Sequence, residues 1–115
     1  MIAVIFEVEP HPGRNDDYLR EAARLKPILE SMDGFSSVEL FESLTTPGRI
    51  LSLSICRDEE AVSAWRNAEA HRQPQPQGRT RIFRDYRQRV AAVLRDYGMN
   101  ERADATADSR AAHGM

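Results

Sequence analysis

Long hydrophobic runs are missing from this sequence, and so are clusters of cysteine and histidine. The run Met1 to Phe6 is far shorter than the roughly 20 apolar residues a membrane-spanning helix needs. No basic residue precedes it, and Glu7 and Glu9 follow it, so it reads neither as a membrane span nor as a secretory leader. Cys56 is the single cysteine, which forbids an intramolecular disulfide and fits a reducing compartment. His11, His71 and His113 lie far apart in sequence, and Cys56 has no neighbouring ligand, so no metal-binding spacing is present. There is no phosphate-binding loop, no GxSxG and no dinucleotide fingerprint behind a strand. These absences predict a cytoplasmic protein with no metal, no cofactor and no membrane partner.

Lysine is nearly missing as well: fifteen of the sixteen basic residues are Arg, and Lys26 is the exception. The formal charge of −2 offers no global field for nucleic acid. It is unevenly spread. Residues 1–45 hold four basic and nine acidic side chains, whereas residues 66–95 hold eight Arg against Glu69 and Asp85. Such a block is either a solvated face or a source of planar, bidentate contacts to carboxylates and rings. With 115 residues, 41% hydrophobic and 30% charged, the chain suits one globular domain. So small a domain has little room for a large cavity of its own.

The expected order of elements is βαββαβ. Ile2 to Val8 alternates as a strand, with Ile2, Val4, Phe6 and Val8 on one face and Ala3 and Ile5 making the other apolar too. Pro10, Pro12 and Gly13 break the chain. Asn15 is placed to cap a helix whose stripe is Tyr18, Ala22, Leu25, Leu29 and Met32, with a kink expected at Pro27 and an end at Gly34. Ser37 to Leu44 and Ile50 to Cys56 form a hairpin around TTPGR, the second strand dividing Leu51, Leu53 and Ile55 from Ile50, Ser52, Ser54 and Cys56. Asp58 caps a second helix running to about Ala68, with Val62 and Trp65 on its buried side.

The stretch HRQPQPQG, 71–78, reads as a loop because of its prolines. Residues 79–83 are a short helix or turn. Asp85 to Asp96 reads as the last strand, with Tyr86, Gln88, Val90, Ala92 and Leu94 on one side, although Val90, Val93 and Leu94 also fit a helical period. Residues 99–115 are polar, carry no apolar stripe and are expected to form a disordered tail, leaving 1–98 as the domain. Two helices can cover only one face of a four-stranded antiparallel sheet. The apolar residues on the other face therefore predict a symmetric homodimer, sheet against sheet.

Chemistry concentrates in WRNAEAHRQPQPQGR, 65–79. Trp65 can wall a flat apolar ligand, His71 can move a proton near neutral pH, Asn67 can bond a carbonyl, and Arg79 can hold an anionic oxygen. Tyr86 on the last strand can face the same cavity. The plainer readings remain open beside these: core packing for Trp65 and Tyr86, a solvated or capping position for His71 and Asn67, a surface ion pair for Arg79.

The segments 34–44, 47–57, 58–67, His71–Arg72, Gly78–Arg79 and 83–98, with AWRN, HR, GR and the closing RDYG, together resemble the antibiotic biosynthesis monooxygenase (ABM) family of dimeric α/β-barrel proteins. The resemblance covers about residues 1–98. It implies an α+β ferredoxin-like fold, a homodimer, and a pocket between sheet and helices for a small apolar or aromatic molecule. Some members oxidise polycyclic phenols with O₂ and no metal or flavin; others bind and degrade haem. Trp65 matches the family's helix tryptophan. His71 stands closer to it than in haem-degrading members, and Phe6 and Glu7 occupy the first-strand region where those members carry Asn. Pro74 and Pro76 depart from a helical pattern common in relatives.

The favoured expectation is a cofactor-independent monooxygenase acting on a small aromatic or quinol-type substrate, with Trp65, Asn67, His71, Arg79 and Tyr86 as its site. A non-catalytic dimeric binding module and a haem protein are the alternatives. An RNA-recognition domain shares the strand order, but the strand Ile50 to Cys56 lacks the aromatics such a domain stacks on bases.

Overall fold

The computed structural model describes residues 1–72, 82–100 and 103. Its elements follow the expected order: β1 (Ile2–Pro10), α1 (Asn15–Glu30), β2 (Phe35–Glu42), β3 (Ile50–Cys56), α2 (Glu59–Arg72) and β4 (Phe83–Ala92). The sheet is antiparallel throughout and ordered β2-β3-β1-β4. Two interleaved βαβ crossovers therefore straddle the central pair, which is the ferredoxin-like arrangement.

The even-numbered residues of β1 face the helices. Val4 (1% exposed) is buried with Cys56, Ala61 and Val62, against which Ile2, Phe35 and Trp65 pack. Val8 (0%) is buried with Tyr18 and Ile50, flanked by Phe6, Leu40, Ile82 and Phe83. One cluster lies beneath α2 and the other beneath the start of α1. The pairings Val4↔Ser54, Phe6↔Ser52, Val4↔Val90, Phe6↔Gln88 and Val8↔Tyr86 place those partners on the same helix-facing side. Ala3, Ile5, Glu7 and Glu9, with Leu51, Leu53, Ile55, Arg87 and Arg89, turn to the side that neither helix occupies.

Several expected boundaries shift. Asn15 is the first helical residue of α1 rather than its cap; Arg14 precedes it without a side-chain capping bond. Pro27 lies inside a helix that continues to Glu30. Ser31 closes that helix, its amide and hydroxyl both donating to the Ile28 carbonyl, so Gly34 does not end it. Gly34 instead turns the chain into β2 with φ +82°. β2 starts at Phe35 and stops at Glu42, two residues before the expected bounds at each end.

α2 continues past Ala68 to Arg72, since Ala68, Glu69 and Ala70 favour helix and no breaker precedes Pro74. His71 and Arg72 are thus helical, not loop; residues 73–81 lie outside the described residues. β4 is a strand, not a helix, and runs Phe83–Ala92 rather than 85–96. It gains its start from the Pro10↔Phe83 pair beyond an irregularity at Glu9/Pro10. It stops where β1 starts: Ala92 pairs with Ile2, and the Val93 amide donates to the Met1 carbonyl. Of the tail, only residues 99, 100 and 103 are described.

Asp58 caps α2 as its sequence suggests, its Oδ1 accepting from the Ala61 amide at 2.9 Å. Arg57 beside it donates to Asp58 and Asp33, and its amide donates to the Gly34 carbonyl at 2.7 Å. A methyl on Gly34 would meet the Ala61 Cβ at 2.7 Å.

Two outcomes follow. Gly34→Ala should destabilise the fold by about 2–4 kcal/mol in denaturant unfolding, since it adds both a left-handed backbone penalty and a steric clash with α2. The Asp58 carboxyl is held below its ordinary value near 3.8 by the Ala61 amide first and Arg57 second. Unfolding frees it to take up a proton, so its contribution is complete above that ordinary value and disappears as pH falls through the lowered one. In denaturant titrations between about pH 5 and 3, Asp58→Asn, which keeps an accepting oxygen but no charge, should show a shallower loss of stability than the parent.

Candidate active site

The helices cover the sheet unevenly. α1 packs chiefly on β2, and α2 on β1 and β3. The edge strand β4 consequently keeps part of its helix-facing side open: Tyr86 is 46% and Val90 45% exposed, although both point to the side on which Val8 and Val4 are buried. The uncovered strip is the candidate site.

Aromatic rings close one end of it. Phe6 meets Phe83 and Tyr86 edge-on, with centroids 5.8 and 5.5 Å apart. Phe83 also meets Tyr86 at 6.0 Å and Tyr18 of α1 at 5.6 Å. Such edge-to-face contacts fix ring orientation as well as filling space. Trp65 lies toward the other end, packed on the cluster around Val4 and Val62. Val4 and Val8 are four residues apart, so the two ends are separated by about 13 Å along the strands. Ser52, Phe6 and Gln88 form the row between them, a phenyl ring flanked by a hydroxyl and an amide.

Trp65 Nε1 is buried and finds no hydrogen-bond acceptor among the described residues. An indole N–H in that state is costly and ready to donate to an acceptor placed beside it. Cys56 lies in the same cluster, where burial pushes its thiol up and away from thiolate reactivity.

Of the residues singled out from sequence, Trp65 and Tyr86 therefore lie on the same side of the sheet, toward opposite ends of the strip. Asn67 is exposed on α2 and, two residues from Trp65, does not share its face. His71 falls in the last turn of α2, with its side chain outside the described residues, and Arg79 lies wholly outside them. Phe6, Phe83 and Gln88 were not singled out. Alternation already put Phe6 and Gln88 on definite faces, but only the pairing register reveals that those faces coincide. Among the described residues no three His, Cys, Asp or Glu side chains gather into a metal-ligand cluster. No helix there is long and apolar enough to cross a membrane.

Comparison with known proteins gives this arrangement a lineage. The family model described as antibiotic biosynthesis monooxygenase matches residues 1–77. The chain is 43% identical over 101 residues to jasmonate monooxygenase ABM of Pyricularia oryzae. The match takes in 88% of this chain but 47% of the relative, so the chain spans about half the relative's length. Among solved structures, Rv0793 from Mycobacterium tuberculosis superposes with a TM-score of 0.69 at 20% identity, covering 84% of this chain and 98% of that one. The haem-degrader MhuD from the same organism, with two haems bound, gives 0.66 at 19% identity, covering 85% and 100%. At such identities these two likenesses establish the fold alone. The family match and the 43% relative go further: the chain belongs to the antibiotic biosynthesis monooxygenase family.

Proposed function

We propose that the chain, as a homodimer of a domain spanning residues 1–98, is a cytoplasmic monooxygenase that oxidises a small apolar cyclic molecule. The strip along β4 is its binding site. The observation that carries this reading is the pairing of an aromatic end, Phe6, Phe83 and Tyr86, with the buried indole N–H of half-buried Trp65, which has no acceptor among the described residues, on one side of the sheet. A flat ligand between them would lie against rings and offer a carbonyl or phenolate oxygen to the indole.

The reaction needs no electron source beyond the substrate. A phenol or an enolisable ketone loses a proton, and its anion reduces O₂. One oxygen atom enters the ring as a new carbonyl and the other leaves as water, so the four electrons O₂ accepts equal those the carbon gives up. In this reading Trp65 donates to the developing oxyanion, and Tyr86, His71 or Arg79 handles the proton or anionic oxygen. Asn67 takes part only through a ligand long enough to reach its face of α2. The substrate classes are electron-rich aromatics and quinols. The relative's name adds jasmonate, a cyclic ketone with a carboxylate that the Arg-rich segment 72–81 would suit.

The test is O₂ uptake with anthrones, hydroquinones and jasmonate, with product identified by mass. One O₂ should be consumed per product formed, without added metal, flavin or haem. Trp65→Phe should lower kcat at least about tenfold, as loss of an oxyanion donor does. Tyr86→Phe should flatten the pH profile of kcat if its hydroxyl moves the proton. No uptake above buffer with any substrate would remove the reading. Tight ligand-dependent thermal stabilisation without turnover would replace it with a binding module.

A further inference from the structure

The two sides of β4 differ in charge. Away from the helices it carries Asp85, Arg87 and Arg89, each exposed and each charged. Toward the helices it carries Tyr86, Gln88, Val90 and Ala92, none charged. The rows that continue these onto β1 and β3 are uncharged as well: Val8 and Ile50 beside Tyr86, Phe6 and Ser52 beside Gln88, Val4 and Ser54 beside Val90. Gln88 is as open to solvent as its neighbours Tyr86 and Val90. Where β4 faces away from the helices its exposed polar positions are ionic; the neutral amide stands in the middle of the apolar strip. Ser52, on the other flank of Phe6, is half-buried and bordered by Leu40 of β2. Among the described residues the Gln88 side chain has no hydrogen-bond partner.

A carboxamide both donates and accepts without carrying charge. A ring system laid over the strip takes water away from it. The amide then recovers its lost hydrogen bonds only from a polar atom of that ring system. A bare hydrocarbon edge at this place leaves the amide unpaired, and a site built in this way rejects the analogue that lacks the polar atom. Gln88 lies about 7 Å along the strand from Tyr86 on one side and from Val90, in the row of Val4 on which Trp65 packs, on the other. It therefore reads the body of a ligand that spans the two ends of the strip.

We propose that Gln88 is the specificity-determining residue of the strip: its carboxamide bonds a second oxygen of the substrate, apart from the one that Trp65 takes, so that the substrate class is a fused-ring phenol oxygenated on two edges. The proposal rests on the monooxygenase reading above for the reaction, but the recognition it describes is a property of binding.

Anaerobic calorimetry on the full-length chain measures that recognition without turnover, with 1-naphthol, 1,5-dihydroxynaphthalene and 5-methoxy-1-naphthol as probes. The parent should bind the two doubly oxygenated probes at least about fivefold more tightly than 1-naphthol, the worth of one neutral hydrogen bond. Gln88→Leu should bring all three within about twofold of one another, and in O₂ uptake it should raise KM rather than lower kcat. Gln88→Glu accepts but cannot donate, so it should keep tight binding of the diol and lose that of the methoxy probe. Position 88 is exposed, so neither substitution disturbs the core. A preference that survives Gln88→Leu, or a parent that binds the three probes equally or not at all, would overturn the role of Gln88. Discrimination that depends on Gln88 without any O₂ uptake would leave that role standing and remove the monooxygenase reading alone.

Discussion

Burial of the β1 face that carries Val4 and Val8 is the constraint around which this molecule is arranged. Both side chains are essentially without solvent contact, and each sits at the centre of one of the two apolar clusters. β1 lies between β3 and β4, so whatever covers it must come from above the sheet. α2 closes over one end and the start of α1 over the other. Satisfying β1 uses both helices and leaves none for the edge strand. The half-open row of Tyr86 and Val90 is thus a by-product of how the core is closed, and it is where a site can form without any residue being taken from that core.

The ordering of strands and helices was legible because the alternation in Ile2 to Val8 and in Ile50 to Cys56 admits one period only. Trp65 and Val62 stood out for the same reason, three residues apart on a short helix. The boundaries were less legible. Pro27 sits in a helix that runs past it, because a helix packed through Tyr18 and Leu29 tolerates one missing bond. Gly34 looked like a helix terminator, yet its φ of +82° serves the entry to β2 and its missing side chain makes room for Ala61. Both are tertiary facts that local propensity does not encode.

Of the proposed site, residue type points to Trp65 and Tyr86, and alternation puts Tyr86 on a face. Phe6, Phe83 and Gln88 become members only through the β1–β4 register, which joins residues about eighty positions apart. Asn67 shows the converse: it was attractive by its nearness to Trp65 in sequence, and helical geometry puts it elsewhere.

One remaining feature concerns how β4 holds its place. Sliding that strand two residues along β1 would keep every side chain on its proper side, so hydrophobic patterning alone does not forbid it. Glu9 does. Arg49 donates to one of its oxygens at 2.7 Å and Arg84 to the other at 2.8 Å, while Glu7 takes Arg89 two residues away. A slip would pull Arg84 and Arg89 off their acids together. The ionic rungs act as a ratchet pawl behind the sheet, keeping Tyr86 level with Val8 and its ring against Phe6 on the side in front.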